Sequence, residues 1–194
     1  MLRKFFCLIL LAPLLVLAQA PQPPQVIGRA WVLADVSSGQ ILAAEKPDER
    51  FEPASLTKIM TAYVVFGALK EKKLVLEQQV SVSEKAWRAP GSRMFIEPKK
   101  PVSVDELIRG MIVQSGNDAC IALAERIAGS EEAFAGMMNR EAERLGMKNS
   151  KFMNSSGLPD PQHYSTARDL YLLATALIRD FPEQYAQYLS LIHI

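Results

Sequence analysis

Cysteine is almost absent: the 194 residues contain two, Cys7 and Cys120. Cys7 falls in an N-terminal segment expected to be removed, so no internal disulfide can staple the mature chain. Cys120 lies in the apolar stretch Ala119-Cys120-Ile121-Ala122-Leu123 and reads as a buried small hydrophobe. Histidine is as scarce, and without a Cys/His cluster at ligand spacing a metal site has no support. Charge of one sign is also lacking, because 22 Lys and Arg face 21 Asp and Glu. Basic residues gather only in pairs such as Lys72-Lys73 and Lys99-Lys100, which argues against nucleic-acid binding. Long apolar runs are missing too. The longest candidate, Phe5 to Leu17, is 13 residues interrupted by Pro13, against the roughly 20 that a membrane-spanning helix needs.

That short run, preceded by Arg3-Lys4 and followed by Ala18-Gln19-Ala20, has the layout of a secretory signal peptide. The expected organisation is a signal peptide over 1–20, cleaved after Ala18 or Ala20, and a Pro-rich leader over 21–26. An incomplete globular domain follows over 27–194. With 49% hydrophobic residues the chain has material for one real core. Its last residues carry no stop signal, so the chain is expected to end in mid-domain.

Two apolar segments, Ala30–Val36 and Ile41–Ala44, flank the turn formers Ser37-Ser38-Gly39-Gln40 and predict a β-hairpin. A lone hairpin is marginal in water, so further strands are expected to pair with it. A buried helix is predicted from near Ser55 to about Leu69, and a short strand and loop around Gln78 to Glu84. Helix starts are signposted at Ser103, with Glu106 in capping-box position, at Ser130 and at Thr166. A further apolar helix is expected from Asn117 to Ala128. The class is α+β, a hairpin followed by a mostly helical body.

The chemistry-bearing elements are Ser55-Leu56-Thr57-Lys58 and Ser115-Gly116-Asn117. Residues three apart on a helix share a face, so the Lys58 amine can reach the Ser55 hydroxyl. A serine hydroxyl becomes a good nucleophile when a base takes its proton, and lysine can be that base when burial keeps it neutral. The Ser55 N–H, near a helix start, is placed to donate to an oxyanion. The plain alternative makes Ser55 a cap and Lys58 a solvated first-turn residue, since Ser-x-x-Lys arises by chance about once in a chain this long. Likewise, Gly116 and Asn117 can simply end one helix and cap the next.

Taken in order and separation, the two elements match the Ser-x-x-Lys and middle motifs of the penicillin-recognising serine enzymes. The sequence resembles the bacterial low-molecular-mass D-alanyl-D-alanine carboxypeptidases. The likeness extends through Glu52–Thr61, Gly91–Phe95, Gln114–Cys120 and Ser165–Asp169. It implies a β-lactamase/DD-peptidase-like fold, with the hairpin belonging to an antiparallel sheet beside an all-helical lobe and the C-terminal sheet strands missing from this chain. It further implies Ser55 as acyl-ester nucleophile, Lys58 as general base, Ser115 as proton relay and Asn117 as substrate-binding residue. No cofactor is implied. The partners would be peptidoglycan pentapeptide ending in D-Ala-D-Ala, with β-lactams as inhibitors, in the periplasm or on the outer face of the cytoplasmic membrane. A membrane anchor would lie beyond this chain.

One family element is absent: no Lys-Thr-Gly follows Asn117. The chain as given is therefore expected to be inactive, and its full-length parent active. A DD-endopeptidase or transpeptidase using the same acyl-enzyme, or a silent peptidoglycan-binding module, are the alternatives. A class A β-lactamase fits less well, because Gly116 stands where Asp is expected and no Glu-x-x-Leu-Asn occurs. Single residues support little more. His163, in a loop beside Tyr164, reads as a surface residue, and Arg93-Met94-Phe95 as a loop that borders the cleft or supports it.

Overall fold

The computed structural model describes residues 26–189. The signal-peptide reading, nearly all of the leader and His193 lie outside the described residues. The predicted hairpin forms from β1 (Trp31–Ala34) and β2 (Ile41–Glu45), antiparallel with Trp31 opposite Glu45 and an irregularity between Leu33 and Ala34. The Asp35 carboxylate accepts from the Ser38 N–H at 2.7 Å and organises the turn. Among the described residues the hairpin pairs with no third strand. It leans instead on α6 (Ala167–Asp180), where the Tyr171 hydroxyl donates to the Gly39 carbonyl and Arg168 pairs with Asp48. A second small sheet joins β3 (Gln79–Val80) to β4 (Val102–Ser103).

Helix α1 (Thr57–Lys70) is the axis of the molecule. Its apolar residues run round the whole cylinder, the pattern of a helix enclosed on every side. Four helices enclose it: α3 (Val104–Val113), α4 (Asn117–Ala128), α5 (Glu131–Arg144) and α6. Met60, Val65 and Phe66 are buried in the same core as Leu107, Ile108 and Met111 from α3, Leu123 from α4, Phe134 and Met138 from α5, and Leu173 and Leu177 from α6. Cys120 is part of this core, as its apolar neighbours predict. Among the described residues no helix is long and apolar enough to cross a membrane.

Helix starts follow local chemistry. Ser103 accepts from the Glu106 N–H while Glu106 accepts from the Ser103 N–H, a complete capping box. Ser130 caps α5 through the Ala133 N–H, and Thr166 caps α6 through the Asp169 N–H. A short helix, α2 (Glu84–Trp87), is capped by Ser83. By contrast, α1 and α4 start without a side-chain cap.

Candidate active site

Ser55 lies in a single 3-10 turn, Ala54–Leu56, that leads into α1. Ala54 adopts φ +46°, a left-handed conformation costing an alanine roughly 1–2 kcal/mol. Gly157 explains how that conformation is held. Its φ is +85°, and a Cβ there would overlap the Ala54 carbonyl, so only glycine lets the loop Asn154–Leu158 close against the turn that carries Ser55. Ser115 is also left-handed, at φ +56°, between α3 and α4. Its hydroxyl lies 3.1 Å from that of Ser55. Strained residues thus flank the same hydroxyl pair from two elements, a distribution typical of functional sites.

Lys58, the second residue of α1, is 6% exposed. The solvated first-turn alternative is therefore overturned: its side chain points inward, towards three oxygens. The amine donates to Asn117 Oδ1 and to the Ser156 carbonyl, both at 2.8 Å, and lies 3.4 Å from Ser55 Oγ. The orientation of the Asn117 amide is fixed independently, because its Nδ2 donates to the Pro90 carbonyl at 2.7 Å, an atom that can only accept. Burial lowers the Lys58 pKa below the ordinary lysine value of 10.5. Its charged neighbour in α4 would be Cys120, but burial pushes that thiol up to about 12, so it is uncharged at neutral pH. No carboxylate pairs with Lys58 among the described residues.

This arrangement has a directional consequence. A neutral amine has two N–H bonds and one lone pair. Two carbonyl-type oxygens, which can only accept, take the two N–H bonds. The lone pair is left facing the third neighbour, the Ser55 hydroxyl, which has a proton to give.

Asn117 does not cap α4, contrary to the plain alternative for that residue. It is the first helical residue, its amide is committed to Lys58 and Pro90, and the cap position belongs to Gly116 without a side-chain bond. Gly91, at φ +78°, lets the loop after α2 approach Asn117, since a Cβ there would lie 2.9 Å from Asn117 Nδ2. The Asn117 N–H donates to the Ser92 carbonyl at 2.7 Å.

A family profile described as D-alanyl-D-alanine carboxypeptidase matches residues 17–190. The chain belongs to that family. D-alanyl-D-alanine carboxypeptidase DacC of Escherichia coli (strain K12) is 51% identical over 174 residues, which are 87% of this chain and 44% of that protein. The crystal structure of DacD from Francisella tularensis superposes with a TM-score of 0.84 at 43% identity, covering 87% of this chain and 41% of that one. Penicillin binding protein 5 from Haemophilus influenzae gives 0.83 at 46% identity, covering 85% and 49%. The chain thus spans less than half the length of each of these relatives. The α+β class and the DD-peptidase-like fold expected from the sequence are those of these neighbours.

Three features of the site were missed in the family-like sequence. Asp118, fully buried, accepts from the N–H groups of Met94, Phe95 and Ile96 and fixes the loop that abuts Asn117. This loop both supports and borders the site, for Met94 packs on Gly110 while Phe95 is 71% exposed beneath the Arg93 guanidinium. The loop Asn154–Leu158 supplies a backbone oxygen, and only its turn-forming composition could have marked it. His163 is buried, not superficial. Its Nδ1 accepts from the Met153 N–H at 3.3 Å, so Nε2 bears the proton and donates to Thr57 Oγ1 at 2.9 Å. Burial lowers its pKa. It braces the turn between Ser55 and Lys58 and has no bond to Ser55.

Proposed function

We propose that the full-length protein is an exported serine-type D-alanyl-D-alanine carboxypeptidase, which trims peptidoglycan stem peptides through an acyl-enzyme. Ser55 Oγ attacks the carbonyl joining the two terminal D-alanines while its proton passes to the Lys58 amine. Ser115, in contact with Ser55, relays a proton to the departing D-alanine nitrogen as the C–N bond breaks. Asn117 orients Lys58 through Oδ1, and the second N–H on Nδ2 is available to a substrate carbonyl. Water then hydrolyses the Ser55 ester and frees the shortened peptide. The N-terminal basic, apolar and small-residue layout supports export, which places the enzyme beside its polymer.

The observation that carries this reading is the Lys58 amine, buried without a counter-ion, whose two N–H bonds are taken by Asn117 Oδ1 and the Ser156 carbonyl. Such a lysine is built to be a base for Ser55. β-Lactams are expected to acylate the same oxygen, in keeping with the penicillin-binding relative.

The test is covalent labelling of the full-length protein by a tagged penicillin, together with D-alanine release from a peptide ending in D-Ala-D-Ala. Both are expected, and both are expected to vanish in Ser55→Ala. Labelling that persists in Ser55→Ala would sink the assignment. The 194-residue chain, which encodes no Lys-Thr-Gly to face the cleft, is expected to release no D-alanine. Release by this chain would show that the third motif is dispensable.

A further inference from the structure

Glu131 is the first residue of α5 and only 7% exposed. A first-turn acid ordinarily faces water, where it complements the helix dipole. Here one oxygen, Oε1, accepts two bonds from Ser155: its N–H at 3.0 Å and its hydroxyl at 2.7 Å. The other, Oε2, pairs at 3.0 Å with Lys85, a half-exposed residue of α2 that also pairs with Glu132. The carboxylate's charge is therefore balanced by Lys85, leaving Oε1 to hold the loop.

The same loop is fixed from two further directions. From α1, Thr61 Oγ1 donates to the Ser155 carbonyl at 2.6 Å. From within, Asn154 Oδ1 accepts from the Gly157 and Leu158 N–H groups at 2.8 and 3.1 Å. Ser155 and Ser156 are both almost fully buried and wall Lys58 off from water. The atom presented by all this bonding is the Ser156 carbonyl, one of the two acceptors on Lys58.

We propose that Glu131 is a positioning residue for Lys58: by clamping Ser155 it keeps the Ser156 carbonyl on the Lys58 amine and keeps water away from it. The inference rests on the reading of Lys58 as the base of Ser55. Besides Glu131 and its partner Lys85, the titratable groups that face this region are Cys120 of α4, which acts on the amine, and His163, which bonds Thr57 beside Lys58 and the Met153 N–H beside the loop. Without the clamp, the amine loses one fixed acceptor and gains water, so its lone pair is no longer directed at Ser55.

The experiment follows the Lys58 side-chain resonance by NMR across a pH titration of the full-length protein, with the signal assigned through Lys58→Arg. Glu131→Gln, whose amide oxygen can accept the same two bonds, is expected to keep the wild-type midpoint. Glu131→Ala is expected to move the midpoint about one pH unit up, towards the ordinary lysine value, as water reaches the amine. In the full-length protein, penicillin acylation is expected to slow about tenfold in Glu131→Ala and to stay within about twofold in Glu131→Gln. An unchanged midpoint in Glu131→Ala, whatever its melting temperature, would reduce Glu131 to a fold-stabilising residue and overturn the proposal. An equal upward shift in Glu131→Gln would overturn it as well, because the variant that keeps both acceptor bonds to Ser155 would then protect the amine no better than the one that lacks them. If Glu131→Ala does not fold, Ser155→Ala takes its place, with a smaller upward shift expected and an unchanged midpoint decisive against the clamp. The titration needs no turnover, so a wild-type protein that ignores penicillin would defeat the carboxypeptidase reading and leave the clamp standing.

Discussion

The two halves of α1 handle charge in opposite ways: partly exposed ion pairs in one, a buried amine without a counter-ion in the other. From the middle of the helix towards the far end, Tyr63 donates to Asp180 at 2.7 Å and accepts from Arg144 at 2.6 Å, and Arg144 also pairs with Glu141. The Arg179 guanidinium holds the Asp180 carboxyl down to about 2, and Glu141 raises Arg144 further above its usual range. Opposite charges there lock each other in the ionised state. At the near end, Lys58 meets only neutral oxygens, and His163 meets an N–H and a hydroxyl. Burial pushes both cationic groups towards their neutral forms. One end of the helix is built for permanence, and the other for a proton that can leave and return.

Carrying the far-end chemistry to the near end is the severest way to break this contrast. Asn117→Asp puts a carboxylate where Lys58 now finds an amide oxygen. The resulting ion pair is expected to raise the Lys58 pKa, opposing the effect of burial, and to hold the amine protonated. Loss of the general base would slow penicillin acylation of the full-length protein by about 100- to 1000-fold at neutral pH. Asn117→Ala, which removes the acceptor and adds no charge, should lose less. Equal losses in the two variants, measured by stopped-flow acylation, would mean that hydrogen bonding to Asn117 matters and the missing counter-ion does not.

How much of this contrast could be read beforehand depends on how local each contact is. The hairpin turn and the caps at Ser103, Ser130 and Thr166 were legible because cap and capped N–H lie three residues apart. Ser55, Lys58, Ser115 and Asn117 were legible as two motifs in order, and the structure brings all four within one hydrogen-bonded cluster. The support behind them was not. The Ser156 carbonyl reaches Lys58 across 98 positions, and a backbone oxygen leaves no mark in residue identity. Glu131 looked like an ordinary first-turn acid, and its burial depends on a loop 24 residues away. His163 looked superficial because a single loop histidine, here beside Pro161 and Tyr164, usually is. Its burial comes from a pairing with Thr57, 106 positions distant.

A milder test concerns the second neutral group of the near end. Since burial lowers the His163 pKa below 6.5, the folded state binds fewer protons than the unfolded chain between those two values. Stability from this residue is therefore complete above pH 6.5 and is lost as pH falls through the folded pKa. Asp160 and Glu52 oppose the shift without reversing it. His163→Gln is expected to cost about 1–2 kcal/mol at pH 7.5 through the bonds to Thr57 and Met153. It should also flatten the pH dependence measured by urea unfolding between pH 7.5 and 5. A wild-type protein that gains stability over that fall in pH would reverse the assignment and mean that the folded imidazole is charged.

The smallest effect is expected at the far end, where Tyr63→Phe removes one hydroxyl from a network whose other members keep partners. Asp180 retains Arg179, and Arg144 retains Glu141. The ring remains edge-on to Phe181, with centroids 5.0 Å apart. The cost should therefore be a single hydrogen-bonding group, about 1 kcal/mol in urea unfolding. Acylation of the full-length protein should be unaltered, because nothing in that network touches Ser55 or Lys58. A change in acylation rate without a matching loss of stability would mean that the two ends are coupled along α1. In that event the separation of a locked end from a proton-exchanging end would fail, and the far-end ion pairs would have to be counted among the groups that set the Lys58 proton.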